Sequence, residues 1–449
     1  MSKLSLNIFS GRKKSKSVLH LRIFFVILQQ LNNRNEMKKL LTIVCTLAAM
    51  AACSSDDGSN EDIRPAVMAE GRTVLVYMSA ENSLSPHVKN CLEQLKTGGR
   101  LIGNSNALLV YVDRSEPSEL PWLARISDGK VTDSVSIADM GISQKNEYAS
   151  DPQVFEDVLK YAFSHYPAKR DYGLVLWGHS TGWLIAPDTV AYTRAYGVDN
   201  GRNDRSNTGK WMNLPTLARV LGKQPHLKFI LADCCNFMCL ESLYELRNVA
   251  DYIIGSPAEI PSVGAPYQTV LPAMFSAADD FYRTIADNYH AQQVSGRTLP
   301  LSVVKTSEMT AVAQATRSVL TGIKNGLGDN YADLTGLIHY YNTGAIFNTD
   351  DNIFYDAGDF VRKYAQDAEY QTWRQALNRA VVSKNYAATW NTDKTWALFY
   401  TDFTATEDRY HGVSMFVAQD PKRGSYARYN TTIRQMQWYT AAGLNTIGW

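Results

Sequence analysis

The chain has 449 residues and nearly balanced charge, with 45 Lys and Arg against 44 Asp and Glu and a formal net charge of +1. Nine basic residues but a single acid fall within residues 1–52, so the remainder holds 36 basic and 43 acidic residues and has a net charge of −7. A mildly acidic protein lacks the basic surface that phosphate backbones require, and we expect no nucleic-acid partner. The length predicts one large α/β domain with an appended region.

Six cysteines stand at positions 45, 53, 91, 234, 235 and 239. Their spacing fits neither a disulfide framework nor the paired C-x-x-C pattern of a zinc site, so we expect no resident metal from this source. Three of them lie together at the end of one predicted strand, where they suggest thiol chemistry.

The N-terminal region is typical of an export signal. Residues 1–36 are interpreted as an upstream mis-start, because residues 37–52 form a complete signal peptide with a basic start, a short apolar stretch and small residues at its end. The ending Met-Ala-Ala-Cys53 resembles the lipobox of bacterial lipoproteins, which implies cleavage before Cys53 and acylation of its thiol. The alternative is an ordinary secretory signal followed by a chance cysteine.

Residues 53–71 begin with a polar, acidic stretch that cannot bury a core and is interpreted as a flexible tether. The stretch also resembles the acidic export signal that some Gram-negative lipoproteins carry after the acylated cysteine. We therefore expect a lipid at Cys53 to anchor the protein in the outer membrane, on the cell surface. A periplasm-facing orientation is the alternative.

The folded part begins near Arg72 and alternates predicted strands with predicted helices. Apolar runs predict strands over 73–77, 107–112, 173–177, 229–231, 251–255, 302–305 and 410–417 and a hairpin of 122–126 with 131–137; helical spacing predicts helices over 88–101, 151–165, 240–248 and 309–323. This alternation indicates a doubly wound, mostly parallel α/β sheet with helices on both faces.

Two of these strands end in residues that can carry chemistry. One runs into Gly178-His179-Ser180 and another into Asp233-Cys234-Cys235. Open α/β sheets place their chemistry at the carboxyl ends of strands, so we expect His179 and Cys235 to meet there. A thiol nucleophile needs a histidine to move protons and backbone N–H groups to hold the oxyanion. A buried, inert cysteine beside a structural histidine is the alternative.

Residues 178–182 read Gly-His-Ser-Thr-Gly and match the G-x-S-x-G nucleophile elbow of serine hydrolases. That elbow leads directly into a helix, whereas here it leads into Trp-Leu-Ile-Ala-Pro187, which has no helical period. A serine esterase that uses Ser180 is therefore a minor alternative.

Several motifs in order resemble the clostripain family of cysteine peptidases, whose fold is similar to that of caspases, gingipains and legumain. The resemblance covers the chain from about Arg72 to the C-terminus. It rests on the stretches 73–84 (TVLVYMSAENSL), 174–183 (LVLWGHSTGW) and 233–238 (DCCNFM), with weaker support from 250–256 and 412–414. It implies a caspase-like peptidase domain over residues 72–300 and a smaller α+β region over 301–449 packed on it.

The resemblance places the family's histidine on His179 and its nucleophile on Cys235. It implies that the backbone N–H groups of Ser180 and Cys235 form the oxyanion hole. Cys234 stands where the family usually has alanine, so its thiol is interpreted as a bystander. No third member of a catalytic triad is evident from the sequence.

Clostripain-like enzymes cleave after arginine or lysine, which implies protein or peptide substrates with a basic P1 residue. Asp233 matches the acidic residue of the family's S1 pocket, and Glu259 is a second candidate on the loop after the next strand. A carboxylate suits this role because it pairs with a guanidinium in a fork. The alternative for Asp233 is a turn-capping role.

Relatives are made as zymogens that cut themselves between the histidine and the nucleophile. The segment 187–210 is polar and should be exposed, and we predict cleavage after Arg194, before Ala195, with Arg202, Arg205 and Lys210 as alternatives. The product would be a monomer of two chains. The family implies that calcium is possible, although no EF-hand spacing occurs and the thiol chemistry itself requires no cofactor.

A function of a different class remains open at this stage. The chain could be a surface lipoprotein with an inactive peptidase fold that binds peptides or a partner protein. The presence of both His179 and Cys235 favours the enzyme.

Overall fold

The computed structural model describes residues 66–116, 118–142, 148–184, 196–201, 209–294, 298–342, 352–390, 403–423 and 426–449. The predicted signal peptide, Cys53 and most of the tether lie outside the described residues. So do four of the candidate cleavage positions, namely Arg194, Ala195, Arg202 and Arg205.

The central element is a nine-stranded sheet. Its strands are β1 (Arg72–Ala80), β2 (Ala107–Arg114), β3 (Trp122–Ser127), β4 (Lys130–Ser136), β5 (Asp171–Trp177), β8 (Leu227–Asp233), β9 (Ala250–Gly255), β10 (Leu301–Lys305) and β13 (Val381–Asn385), and their spatial order is β13-β10-β9-β8-β5-β1-β2-β3-β4. The five inner strands run parallel, and antiparallel pairs close both ends of the sheet. The predicted mostly parallel sheet is confirmed.

Helices cover both faces of this sheet. The described helices are α1 (Val88–Gly99), α2 (Pro152–His165), α3 (Leu214–Leu221), α4 (Leu240–Glu245), α5 (Tyr267–Met274), α6 (Phe281–His290), α7 (Met309–Leu327), α8 (Ala357–Tyr364), α9 (Asp367–Ala380), α10 (Tyr426–Thr432) and α11 (Gln437–Ala441). Within β1, Leu75 and Tyr77 join the core on one face, whereas Val74, Val76 and Met78 join the core on the other. This alternation explains the continuous apolar runs, because strands covered on both faces need apolar side chains at every position.

Five short strands form two smaller sheets. Strands β11 (His339–Asn342), β12 (Asn352–Asp356) and β14 (Ser414–Met415) form one, and β6 (Tyr196–Asp199) pairs with β7 (Lys210–Met212) in the other. The region from Leu301 onward thus supplies two strands of the central sheet as well as a sheet of its own. None of the described helices is both long enough and apolar enough to cross a bilayer.

Two predicted elements are shorter than expected by three residues or more. The helix predicted over 240–248 ends at Glu245, because the chain must turn to begin β9 at Ala250. The strand predicted over 410–417 exists only at Ser414–Met415. Tyr410 and His411 are apolar or aromatic in sequence, but they make polar contacts in a loop: the Tyr410 hydroxyl donates to the Leu301 carbonyl, and the His411 amide donates to Asp356.

The C-terminal region is joined to the helix that follows Cys235. The Ser414 amide donates to the Met238 carbonyl at 3.0 Å, and the Phe416 amide donates to the Glu241 carboxylate at 2.7 Å. Glu241 is fully buried, and burial raises the pKa of its carboxyl group to about 7 despite the hydrogen bond from Phe416. The folded protein therefore holds a proton on Glu241 at pH values at which the unfolded chain has lost it.

This raised pKa makes stability depend on pH. The contribution is fully present below the unfolded pKa near 4.5 and is lost as the pH rises through about 7, because in that window the folded state binds more protons than the unfolded state. We expect Glu241→Gln to remove this decline, which amounts to about 3 kcal/mol. Thermal unfolding between pH 5 and 8 measures it, with exposed Glu369→Gln as control. An identical pH dependence in wild type and Glu241→Gln would contradict the assignment.

Candidate active site

The two informative strands lie side by side with their ends in register. Strand β5 pairs in parallel with β8, and Trp177 lies opposite Asp233 at the end of the pairing. His179 and Cys235 each follow two residues beyond this pair. His179 and Cys235 therefore reach the same edge of the sheet, because Trp177 and Asp233 are paired and each site residue lies two positions after its strand's paired residue.

His179 and Cys235 line one pocket. The residues around it share a position at the carboxyl ends of the central strands or on the loop after β9: Leu84, Trp177, Gly178, His179, Asp233, Cys235, Ile260, Pro261, Ser262 and Gly264. Both side chains are half-buried. The indole ring of Trp211, from β7, lies 6.5 Å from the imidazole ring. The predicted histidine and thiol therefore share one solvent-accessible site.

The Cys235 thiol packs against the loop after β9. The Ile260 amide donates to the Cys235 sulfur at 3.4 Å. Burial raises the pKa of the Cys235 thiol to about 12, with further contributions from the negative charges of Glu259 and Asp233, and the Ile260 N–H offsets only part of this increase. In this conformation the thiol is protonated at neutral pH.

Cys234 and Ser180 lie beneath the site. Both are buried, and neither lines the pocket. The Ser180 hydroxyl accepts the Gly182 amide at 3.1 Å, and the Cys234 thiol interacts with the Ser180 side chain. Burial raises the pKa of Cys234 well above its usual range. This placement fits a bystander role for the Cys234 thiol and no nucleophilic role for the Ser180 hydroxyl.

Asp233 lies on the wall of the same pocket and is almost completely buried. Three donors hold its carboxylate: the Tyr267 hydroxyl at 2.6 Å, the Tyr289 hydroxyl at 2.7 Å and the Ala265 amide at 3.0 Å. Burial still raises its pKa, and the three hydrogen bonds counteract this effect. Among the residues that the structure describes, no Lys or Arg forms an ion pair with Asp233. A buried carboxylate of this kind is electrostatically suited to a cation from outside the chain.

Gly264 allows the loop after β9 to approach Asp233 this closely. Its φ is +67°, and a Cβ atom there would lie 2.8 Å from the Asp233 carboxylate and 2.9 Å from the Trp177 indole nitrogen. The glycine therefore permits both the left-handed backbone and the hydrogen bond from Ala265.

Glu259, the second S1 candidate, is half-buried and precedes the residue that contacts Cys235. It does not line the pocket that contains Asp233. It lies close enough to Cys235 for its charge to raise the pKa of the thiol. The structure thus places Asp233 in the pocket and Glu259 outside the pocket lining but near Cys235.

Sequence analysis missed several groups at the site. The Ser83 hydroxyl lies 2.8 Å from His179 Nε2, although Ser83 lies within a stretch that carried the family resemblance. Tyr267 and Tyr289, which bind Asp233, come 34 and 56 residues after it. No local pattern marks them, because their position depends on where α5 and α6 cross the sheet.

Strand β6 is also unanticipated, and it binds the His179 loop from the side. The Gly197 amide donates to the His179 carbonyl at 2.8 Å, and Ser180 pairs with Tyr196. Asn82 donates to the Val198 carbonyl at 2.7 Å. The strand that begins one residue after Ala195 is therefore an integral part of the site's surroundings.

Three buried carboxylates lie near this strand. Oxygens of Glu81, Asp113 and Asp199 fall within 4.8 Å of one another at the ends of β1, β2 and β6. Burial raises the pKa of Asp199, which also accepts hydrogen bonds from the Ala149 and Gly201 amides. The donor set consists of hard oxygen atoms, which suits calcium rather than a soft metal.

Comparison with known proteins identifies the family and the fold of this chain. The family model described as "Clostripain family" matches residues 76–444. A secreted C11 cysteine protease from Bacteroides thetaiotaomicron, solved with an irreversible peptide inhibitor, is 30% identical over 84% of this chain and 99% of its own, with a TM-score of 0.67. An inactive zymogen C11 protease from Parabacteroides distasonis is 27% identical over 85% of this chain and 99% of its own, also with a TM-score of 0.67.

A third solved structure, the secreted C11 cysteine protease "iotapain" from Bacteroides thetaiotaomicron, is 20% identical over 84% of this chain, with a TM-score of 0.60, and shows the fold alone. No curated protein matched the sequence. The family match spans both catalytic candidates and the loop between them, and the caspase-like fold is shared. The chain belongs to the clostripain family and is a cysteine peptidase.

Proposed function

We propose that this cysteine peptidase is an endopeptidase that cleaves after Arg or Lys and is made as a zymogen. The observation that carries the proposal is the shared pocket, in which a histidine, a thiol and a buried acid meet. The first two can break a peptide bond, and the third can select the residue that precedes it. Either an arginine or a lysine side chain would supply the cation that this acid can bind.

The reaction assigned to this pair has two steps. His179 takes the proton of the Cys235 thiol, the sulfur attacks the scissile carbonyl carbon, and the backbone N–H groups of Ser180 and Cys235 hold the oxyanion. His179 then gives the proton to the leaving amine, which leaves a thioester on Cys235. In the second step His179 removes a proton from water, the resulting attack cleaves the thioester, and the acid product and the free thiol are released.

Asp233 is the residue assigned to P1 selection. Its carboxylate is fixed by three donors and has no cationic partner in the described part of the chain. A P1 guanidinium or ammonium group would provide the missing counter-charge. The indole of Trp177 on the pocket wall suits the apolar stem of such a side chain. Glu259 remains a second candidate, supported only by its negative charge near Cys235.

The zymogen proposal is supported by a relative, since one similar solved structure is described as an inactive zymogen. In the conformation described here burial raises the pKa of the Cys235 thiol to about 12, so His179 must take up its proton before the sulfur can attack.

Cleavage after Arg194 is supported by the anchoring of the residues that follow. Tyr196 is buried, and the Gly197 amide and the Val198 carbonyl are hydrogen-bonded to neighbouring loops. A protease cannot accommodate paired, buried backbone, which favours a cut before Tyr196 or between Gly201 and the start of β7 at Lys210. Arg194 and Ala195 satisfy this condition, as do Arg202 and Arg205.

Calcium remains a prediction. The three carboxylates of Glu81, Asp113 and Asp199 would hold the ion, which would neutralise their mutual repulsion and fix β6 against β1 and β2. This role is structural, and no step of peptide cleavage depends on it.

The lipid anchor at Cys53 and the surface location also remain proposals. They are supported by the sequence pattern before and after Cys53. The family match disfavours the inactive, peptide-binding lipoprotein considered from the sequence, and the burial of Ser180 disfavours the serine esterase.

The nucleophile is tested by matched cysteine variants. We expect Cys235→Ala to lower hydrolysis of a P1-Arg peptide by at least about 10³-fold and to leave the chain uncut between His179 and Asp233, because the attacking atom is gone. Intact mass and peptide hydrolysis measure these effects. Cys234→Ala is the control and should retain activity within about threefold. Activity that survives Cys235→Ala but is lost in Ser180→Ala would establish the serine mechanism instead.

The specificity of the pocket is tested by Asp233→Asn. We expect kcat/KM for a P1-Arg peptide to fall by about 10² to 10³-fold, since the cation loses its counter-charge, while a P1-citrulline peptide of the same shape changes little. The ratio of the two kcat/KM values is the measurement. Glu259→Gln is the matched control, and a fall of that ratio in Glu259→Gln but not in Asp233→Asn would reverse the assignment.

The anchor is tested by Cys53→Ser. We expect the wild-type protein to fractionate with outer membranes and the variant to appear in the soluble fraction, because acylation requires the thiol. Added protease should digest the wild-type protein on intact cells. Resistance on intact cells combined with digestion after lysis would assign it to the periplasmic face.

A further inference from the structure

The hydrogen bond between Ser83 and His179 links the end of β1 to the loop after β5. The Ser83 Oγ lies 2.8 Å from His179 Nε2. In the sheet, β5 lies between β8 and β1, and Met78 of β1 pairs with Trp177. The three strand ends therefore present Cys235, His179 and Ser83 in this spatial order along one edge.

The turn that carries Ser83 is fixed by its neighbour. Asn82 is buried, and its side-chain amide donates to the Ser79 carbonyl at 3.0 Å and to the Val198 carbonyl at 2.7 Å. The Asn82 side-chain oxygen accepts the Leu84 amide at 2.9 Å. Ser83 is exposed, but the backbone on each side of it is tied down. The position of its hydroxyl is thus set by buried contacts.

Strand β6 holds both partners of this hydrogen bond. Its Gly197 amide binds the His179 carbonyl, and its Val198 carbonyl binds Asn82. The loop that carries His179 and the turn that carries Ser83 are therefore both hydrogen-bonded to strand β6. A hydrogen bond between two elements with a common support loses little entropy when it forms.

We propose that Ser83 is a positioning residue that fixes the tautomer and ring orientation of His179. The inference rests on the proposed catalytic role of His179. The hydroxyl accepts the Nε2–H of the imidazole, which assigns Nδ1 to proton exchange with Cys235 and with the leaving amine. The same bond persists when the ring becomes imidazolium, since Nε2 carries a proton in both states. A neutral hydroxyl orients the ring without adding a negative charge beside a thiol that must ionise.

The kinetic test compares the full chain with four variants, namely Ser83→Ala, Ser83→Thr, Ser85→Ala and His179→Ala. Ser83→Ala should lower kcat for a P1-Arg peptide about tenfold and change KM by less than twofold, because ring orientation affects the chemical step and not substrate binding. Ser83→Thr keeps the hydroxyl and should restore kcat to within about threefold of wild type. Ser85→Ala, in the same turn but bonded to the Ser115 amide, is the matched control and should stay within twofold. Active sites are counted with an irreversible thiol-directed peptide inhibitor, so that differences in processing do not affect kcat.

His179→Ala separates this inference from the proposed function. Loss of activity in His179→Ala with unchanged kcat in Ser83→Ala would overturn the role of Ser83 alone. Full activity in His179→Ala would instead contradict the proposed catalytic role of His179. An equal fall in kcat in Ser83→Ala and Ser83→Thr would also overturn the proposal, since the hydroxyl group that threonine retains would then not contribute to kcat.

A spectroscopic measurement covers the case in which Ser83→Ala fails to mature. In the Cys235→Ala background, the ring nitrogens of His179 are observed by ¹⁵N NMR with and without Ser83→Ala. We expect the Nε2–H tautomer to dominate with Ser83 present and to lose its dominance in Ser83→Ala. An unchanged tautomer would contradict the proposal independently of activity.

Discussion

The parallel register of β5 and β8 is the constraint on which the active site depends. Trp177 lies opposite Asp233, so the residues two positions further along each strand emerge together at the sheet edge. Adjacent strands are about 4.8 Å apart, so side chains at neighbouring strand ends can reach toward one another across the edge of the sheet. A shift of one residue in this pairing would turn one side chain to the opposite face of the sheet. Because β1 also pairs in parallel with β5, the turn after β1 lies at the same edge of the sheet and brings Ser83 to His179.

Asp233 and Cys235 are linked electrostatically through the pocket that they share. Burial is the main reason for the raised pKa of Cys235, followed by the charge of Glu259, but the charge of Asp233 acts in the same direction. A cationic P1 side chain bound to Asp233 would cancel this last contribution. Binding of the proposed substrate would therefore favour ionisation of the thiol as well as position the bond to be cut. Selectivity and activation would then arise from one charge pair.

The sequence predicts the parts of this site that depend on local pattern. Continuous apolar runs mark β1, β5 and β8, and the abrupt changes at Gly178 and Asp233 mark their ends. The sequence does not predict contacts set by the crossing of distant elements, such as those of Tyr267 and Tyr289 with Asp233. It also misses β6, which is four residues long and follows a polar stretch. The strand expected over 410–417 is mostly absent because its first aromatic residues lie in a loop, where they form hydrogen bonds instead of packing in a sheet.

A cut after Arg194 would leave intact the hydrogen bonds by which strand β6 holds its neighbouring loops. The Gly197 amide holds the His179 loop, Asn82 is bound to Val198, and the Ser79 hydroxyl donates to the Gly197 carbonyl at 3.0 Å. In these bonds the β6 residues Gly197 and Val198 lie on the C-terminal side of the proposed cut, whereas their partners Ser79, Asn82 and His179 lie on its N-terminal side, so the bonds bridge the cut. The orientation of His179 would therefore already be set in the uncut chain. A cut after Arg194 would therefore leave the orientation of the histidine unchanged, because Gly197 and Val198 would still bind the His179 loop and Asn82.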